Sequence, residues 1–78
     1  MIMKKFTDGS VVTDYKAVAY TEGFEEACLE DTIIAWAHLI ETGMCYSLQG
    51  WFGRTASQLI EQGLISTDGK INWDMLPA

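Results

Sequence analysis

The strongest constraint on this chain is that three glycines, Gly23, Gly43 and Gly63, each follow a stretch with the features of a helix. A glycine just past the last such residue is a helix stop, because it takes the left-handed conformation there without steric penalty. The pattern predicts a short first helix from about Asp14 to Glu22, with Thr13 or Asp14 able to cap its start. A second helix from about Glu30 to Thr42 carries Leu29, Ile33, Trp36, Ala37 and Ile40 on one face. Glu30 and Asp31 lie in its first turn, where negative charge complements the helix dipole. A third helix from about Ser47 to Gln62 has Leu48, Phe52, Ala56, Leu59 and Ile60 as its apolar stripe. The connection after Gly43 is short, which predicts that the second and third helices pair antiparallel.

Two turn signals bracket these helices. Phe6-Thr7-Asp8-Gly9-Ser10-Val11-Val12 and Ile65-Ser66-Thr67-Asp68-Gly69-Lys70-Ile71 each place Asp-Gly between apolar residues. Asp-Gly suits the tight hairpin turn in which both central residues take positive φ. Each end is therefore expected to form a short β-hairpin, or at least a tight turn. An isolated hairpin is marginal in water, so these segments must pack on the helices or pair with each other. Trp73, Met75 and Leu76 are expected to fold back on the core, with Pro77 ending regular structure. The expected fold is mainly α: a compact three-helix domain with short terminal β-hairpins or turns, an α+β arrangement being the alternative, in a single domain over residues 1–78.

Seventy-eight residues bury only about 60% of the surface exposed by the unfolded chain, and 49% of them are hydrophobic. That supports one modest core and argues against a deep, enclosed active site. Eleven acidic residues against five basic ones give a formal charge of −6. Such a surface repels a phosphate backbone, so no direct nucleic-acid binding is expected, whereas a basic protein partner suits it. Neither a signal-peptide stretch nor a membrane-length apolar segment is present, which predicts a cytoplasmic protein with no membrane partner. Cys28 and Cys45 are then expected to be reduced and, having apolar neighbours, to serve as small buried hydrophobes. With one histidine and no Cys-x-x-Cys spacing they form no zinc site, and no cofactor or metal is expected.

The most informative stretch is Gly43-Met44-Cys45-Tyr46-Ser47-Leu48-Gln49-Gly50-Trp51-Phe52-Gly53-Arg54. Two glycines inside the third helix would each cost about 1 kcal/mol relative to alanine. On a helical wheel Gly50, Gly53 and Ser57 share one side, roughly opposite Leu48, Phe52 and Leu59. Such a strip lets another group approach closely. Either the second helix or a terminal hairpin fills it, with Trp51 closing the core, or it borders a contact patch. In the second case the partner-binding residues are Tyr46, Gln49, Gly50, Trp51, Gly53 and Arg54, residue types that include those enriched in binding hot spots. The second candidate is the acidic run Glu22, Glu25, Glu26, Glu30 and Asp31, with Asp14 nearby. It reads as a solvated turn plus favourable helix-start charge, or as a docking surface for a basic groove. Acid–base chemistry lacks a pocket, a suitably spaced histidine and a nucleophile motif. His38 reads as a surface residue near Glu41. Gly50-x-x-Gly53 lies in a helical pattern with no following lysine, so it is not a phosphate loop.

The run from Asp14 to Ile65 resembles a group of small proteins encoded by tailed bacteriophages. The shared elements are Ala19, Tyr20 and Gly23, then Leu39-Ile40-Glu41-Thr42-Gly43. Leu48-Gln49-Gly50-Trp51-Phe52-Gly53-Arg54-Thr55-Ala56 comes next, and Leu59-Ile60-Glu61-Gln62-Gly63 closes the match. The resemblance implies a phage origin and a host bacterial cytoplasm, and no mechanism. The resulting expectation is a non-enzymatic phage-encoded binding protein that inhibits or redirects a host protein, a defence system such as CRISPR or restriction being one target. That target class is an analogy from genome context. The alternatives are a small-ligand (nucleotide) binder or sponge and a structural homo-oligomer such as a homodimer.

Overall fold

The computed structural model describes residues 4–75. Three helices are present as expected: α1 (Asp14–Glu22), α2 (Leu29–Thr42) and α3 (Gly50–Glu61), with one-turn 3-10 segments at Met44–Tyr46 and Trp73–Met75. The start of α1 is capped by Thr13, whose Oγ1 accepts from the Lys16 amide at 3.2 Å, and its end by Gly23 at φ 83°. The expectation for Leu76 and Pro77 lies outside the described residues.

The core is built on α2. Ile33, Ile34, Ala35, Trp36, Ala37, Leu39 and Ile40 are all buried, a wider face than the single stripe read from the spacing. Leu29, expected on that stripe, is exposed at the first position of α2. Phe52 and Ala56 of α3, Cys45 and Ile65 complete the centre.

The helix pairing differs from the expectation. The backbones of α1 and α2 run closest together, and the small residues Ala17, Ala35 and Ala37 are fully buried. α3 instead meets α2 through large rings. Trp36 lies 5.9 Å from Phe52 and 6.2 Å from Trp51 between ring centroids. The 3-10 turn fills the gap between the two backbones and contacts both helices.

α3 starts at Gly50 rather than Ser47, because residues 44–46 are already wound into the 3-10 turn. Gly50 is thus the first helical residue and only Gly53 lies deeper in the helix.

Both terminal segments close on themselves rather than on each other. Each narrows to one antiparallel bridge, Lys5 with Val11 and Ile65 with Ile71. The turns are the same. Phe6 and Ser66 donate their amides to Ser10 and Lys70 carbonyls, and Gly9 and Gly69 donate back to Phe6 and Ser66. Only the glycines take positive φ, at 87° and 85°; neither Asp8 nor Asp68 does. These are therefore three-residue loops ending in a left-handed glycine, not the two-residue turns expected from Asp-Gly.

The turns are anchored differently. Phe6 is buried and packs on Tyr20 of α1 at 4.8 Å, while Thr7 donates through its amide and hydroxyl to the Asp31 carboxylate of α2, at 2.8 and 3.0 Å. The second turn lies against the other end of α2, where Gly69 is buried. Lys4 pairs with Glu41 in the same region. Trp73 and Met75 are exposed, contrary to the expectation that they fold into the core. The core is closed by Ile65, and the Trp73 ring borders an open groove with Lys4, Lys5 and Lys70.

Candidate functional site

The Met44–Tyr46 turn divides two concave surfaces. On one side lies a groove of about 530 Å³ lined by Cys45, Tyr46, Leu48, Gly50, Gly53, Arg54, Ser57 and Gln58. The glycine strip is its floor. A Cβ on Gly53 would meet only the Cys45 carbonyl oxygen at 3.7 Å and the Tyr46 ring at 3.8 Å, and one on Gly50 would meet only the Arg54 guanidinium at 3.2 Å. Neither α2 nor a terminal hairpin fills the strip. The groove therefore brings together Tyr46, Gly50, Gly53 and Arg54 as the spacing suggests, with Gln49 exposed at the start of α3.

Trp51 is not part of that group. Its ring stacks on Phe52 at 3.8 Å and meets Trp36 edge-on, so it closes the core. Its position one residue after Gly50 turns it about 100° around the helix, away from the groove.

Arg54 is exposed and, among the described residues, has no carboxylate within ion-pair distance. Tyr46 is 60% exposed. Partial loss of water raises its phenol above the ordinary value, and the adjacent Cys45 thiol adds to the rise. Cys45 itself is buried, which pushes its thiol up. Cys28, expected to be buried too, is exposed, because it is the residue just before α2 begins.

On the other side of the turn lies a shelf of about 430 Å³ lined by Asp14, Tyr15, Val18, Ala19, Phe24 and Met44. Tyr15 is 77% and Phe24 80% exposed. Neither belongs to a motif that the sequence reading brings forward. Phe24 comes directly after Gly23, and its amide bonds to the Ala19 carbonyl at 3.0 Å, so the helix stop fixes its backbone while its ring stays mostly in solvent. The one signal in the sequence is a pair of aromatics outside any apolar stripe.

The acidic run divides by role. Asp31 holds the Thr7 turn and is half-buried. Glu22, Glu25, Glu26 and Glu30 are exposed and have no ion-pair partner among the described residues. His38 is half-buried rather than on the surface; its Nε2 donates to Asp14 Oδ1 at 2.7 Å, tying α1 to α2. Glu41, its expected neighbour, is taken by Lys4.

Among the described residues no group of three or more metal-binding side chains converges, and no helix is long and apolar enough to cross a membrane. Residues 9–77 match the family described as Domain of unknown function (DUF7417). The chain belongs to that family. No curated protein and no solved structure matches it. Within this DUF7417 domain, the surface on both sides of the 3-10 turn is the one that gathers exposed aromatic rings beside an unpaired cation and unpaired carboxylates.

Proposed function

We propose that this chain is a phage-encoded, non-enzymatic binding protein that docks on a host protein in the bacterial cytoplasm and inhibits or redirects it, defence systems such as CRISPR or restriction being among the targets. One observation carries the binding part of this reading: Tyr15, Phe24 and Tyr46 stay in solvent, on the two concave surfaces that the Met44–Tyr46 turn helps to line. Burying such a ring contributes about 1.5–3 kcal/mol. A small domain short of buried area gains from covering all three, so leaving them open points to a partner that covers them. The unpaired Arg54 beside Tyr46 adds a second residue type favoured in protein interfaces. The phage and host part rests on the resemblance over Asp14–Ile65. The non-enzymatic part rests on the sequence, in which no suitably spaced histidine or nucleophile motif is found.

The test is capture from bacterial lysate by tagged protein, with Phe24→Ser and Arg54→Glu variants alongside, read by mass spectrometry. The expected result is a protein retained by the wild type and lost by variants that keep the wild-type circular dichroism. An identical retained set for all three proteins, or an empty one, would refute the reading.

A second reading is favoured by the free guanidinium of Arg54 over the Gly50 floor: the groove holds a small anionic ligand such as a nucleotide. A ligand-dependent rise in melting temperature that Arg54→Glu abolishes would support it.

A further inference from the structure

We propose that the shelf on α1 receives a basic amphipathic helix of the partner protein. The inference rests on the binding reading above and gives the partner a chemistry. Apart from the Tyr15 hydroxyl, Asp14 is the one polar side chain in the lining of the shelf. An occupant must therefore present apolar side chains to Tyr15, Val18, Phe24 and Met44.

The surroundings are negative. Glu22, Glu25 and Glu26 flank Phe24 in the chain, all exposed and none paired with a cation among the described residues. Glu22 also stands in the last turn of α1, where the partial negative charge of the helix end makes a carboxylate unfavourable, and no basic residue offsets it there. The one cation of α1, Lys16, lies in its first turn, away from the helix end. Stability gives no reason for this arrangement. A cationic partner turns the same carboxylates and helix end into its complement.

The shelf has no strand edge, since it is made of side chains from α1, Phe24 and Met44. It therefore offers no backbone ladder to an extended peptide, and its apolar side chains suit the helix-in-groove mode, with anchors at i, i+4 and i+7. The domain measures 27 Å across, so about 18 residues of helix would span it at 1.5 Å per residue. A chain of net charge −6 disfavours nucleic acid or an anionic bilayer in the same place.

The experiment titrates the isotope-labelled protein with two synthetic 18-residue peptides of identical leucine and lysine content, one patterned with helical period and one scrambled. Calorimetry gives affinity and amide shifts give the footprint. The helical peptide is expected to bind, with shifts centred on residues 14–26 and Met44. Phe24→Ser should weaken it about tenfold or more, Glu25→Lys with Glu26→Lys should also weaken it, and Tyr46→Ser should not. Equal binding of the scrambled peptide, or indifference to Phe24→Ser, would overturn the proposal. So would tighter binding of a peptide with glutamate in place of lysine. A lysate protein that is lost with Phe24→Ser but docks through an acidic or extended segment would overturn this proposal and leave the binding reading intact. An empty capture would remove both.

Discussion

Gly69 lies so close to Glu41 that a Cβ on it would stand 2.7 Å from the Glu41 Cβ, and 2.9 Å from the Ala37 carbonyl oxygen. The second turn thus rests its backbone directly on α2. The twin glycine of the first turn, Gly9, faces open space. Both have positive φ, so the two positions separate conformational strain from crowding. Gly9→Ala should cost about 1 kcal/mol, the strain alone. Gly69→Ala should cost about 2–4 kcal/mol, because α2 backbone cannot yield to the added methyl. Urea unfolding of the two variants checks the difference.

Asp31 accepts two hydrogen bonds from Thr7, whereas its neighbour Glu30 accepts none from a side chain or loop of the described chain. Asp31→Ala should lower stability by about 1–2 kcal/mol and loosen the first turn. Glu30→Ala should stay within about 0.5 kcal/mol of wild type. Chemical denaturation gives the stability, and amide exchange at Phe6, whose N–H bonds to Ser10, reports the turn.

Trp51 stacks on Phe52 and meets Trp36 edge-on. Trp51→Ala should therefore cost about 2–3 kcal/mol, less than a fully buried tryptophan because the side chain is half-buried. At 4–8 °C per kcal/mol for a domain of this size, the melting temperature should fall by roughly 8–24 °C. Tyr46→Ser, on the groove side, should change it little. Melting curves distinguish these outcomes.

The two thiols should behave oppositely. Cys28 is exposed and Cys45 buried, so iodoacetamide at pH 8 should label Cys28 in the folded protein and Cys45 only on unfolding. Burial raises the Cys45 thiol above its unfolded value. Folding therefore favours its neutral form, and the stability this contributes is complete below the unfolded value and is lost as pH rises through the folded one. Stability should fall on the alkaline side above about pH 9, and less so in Cys45→Ala relative to its own neutral-pH value.

Asp8 and Asp68 move the other way. The Ser10 hydroxyl and amide lower the Asp8 carboxyl, and the Ser66 hydroxyl lowers that of Asp68. Both contribute to folding above the usual carboxylate range and lose that contribution as pH falls through their depressed values. Ser66→Ala should return Asp68 towards its ordinary titration, tracked by carboxyl NMR shifts.

Whatever local chemistry decides is legible in the sequence. Thr13 and Gly23 bound α1, Gly43 stops α2, and each Asp-Gly marks a turn because capping and positive φ are properties of a few adjacent residues. The start of α3 is not legible in this way, because the 3-10 turn at Met44–Tyr46 shares the helical spacing of the residues after it. Helix pairing also escapes local reading, because it depends on which faces carry alanine and which carry rings. Half the candidate site is visible, since Tyr46, Gly53 and Arg54 fall together on local helix geometry. Tyr15 and Phe24 show only as aromatics outside any apolar stripe, because exposure is the absence of a distant neighbour.

The proposed docking surface for a partner protein lies on both sides of the Met44–Tyr46 turn. The most direct measurement is the amide footprint of the isotope-labelled domain when a protein captured from bacterial lysate is titrated into it. The predicted result is broadening and shifts at Tyr15, Val18, Phe24, Met44, Tyr46 and Arg54, with Lys5, Lys70 and Trp73 undisturbed. A footprint centred on the lysine and Trp73 face, or no captured protein to titrate, would contradict the claim.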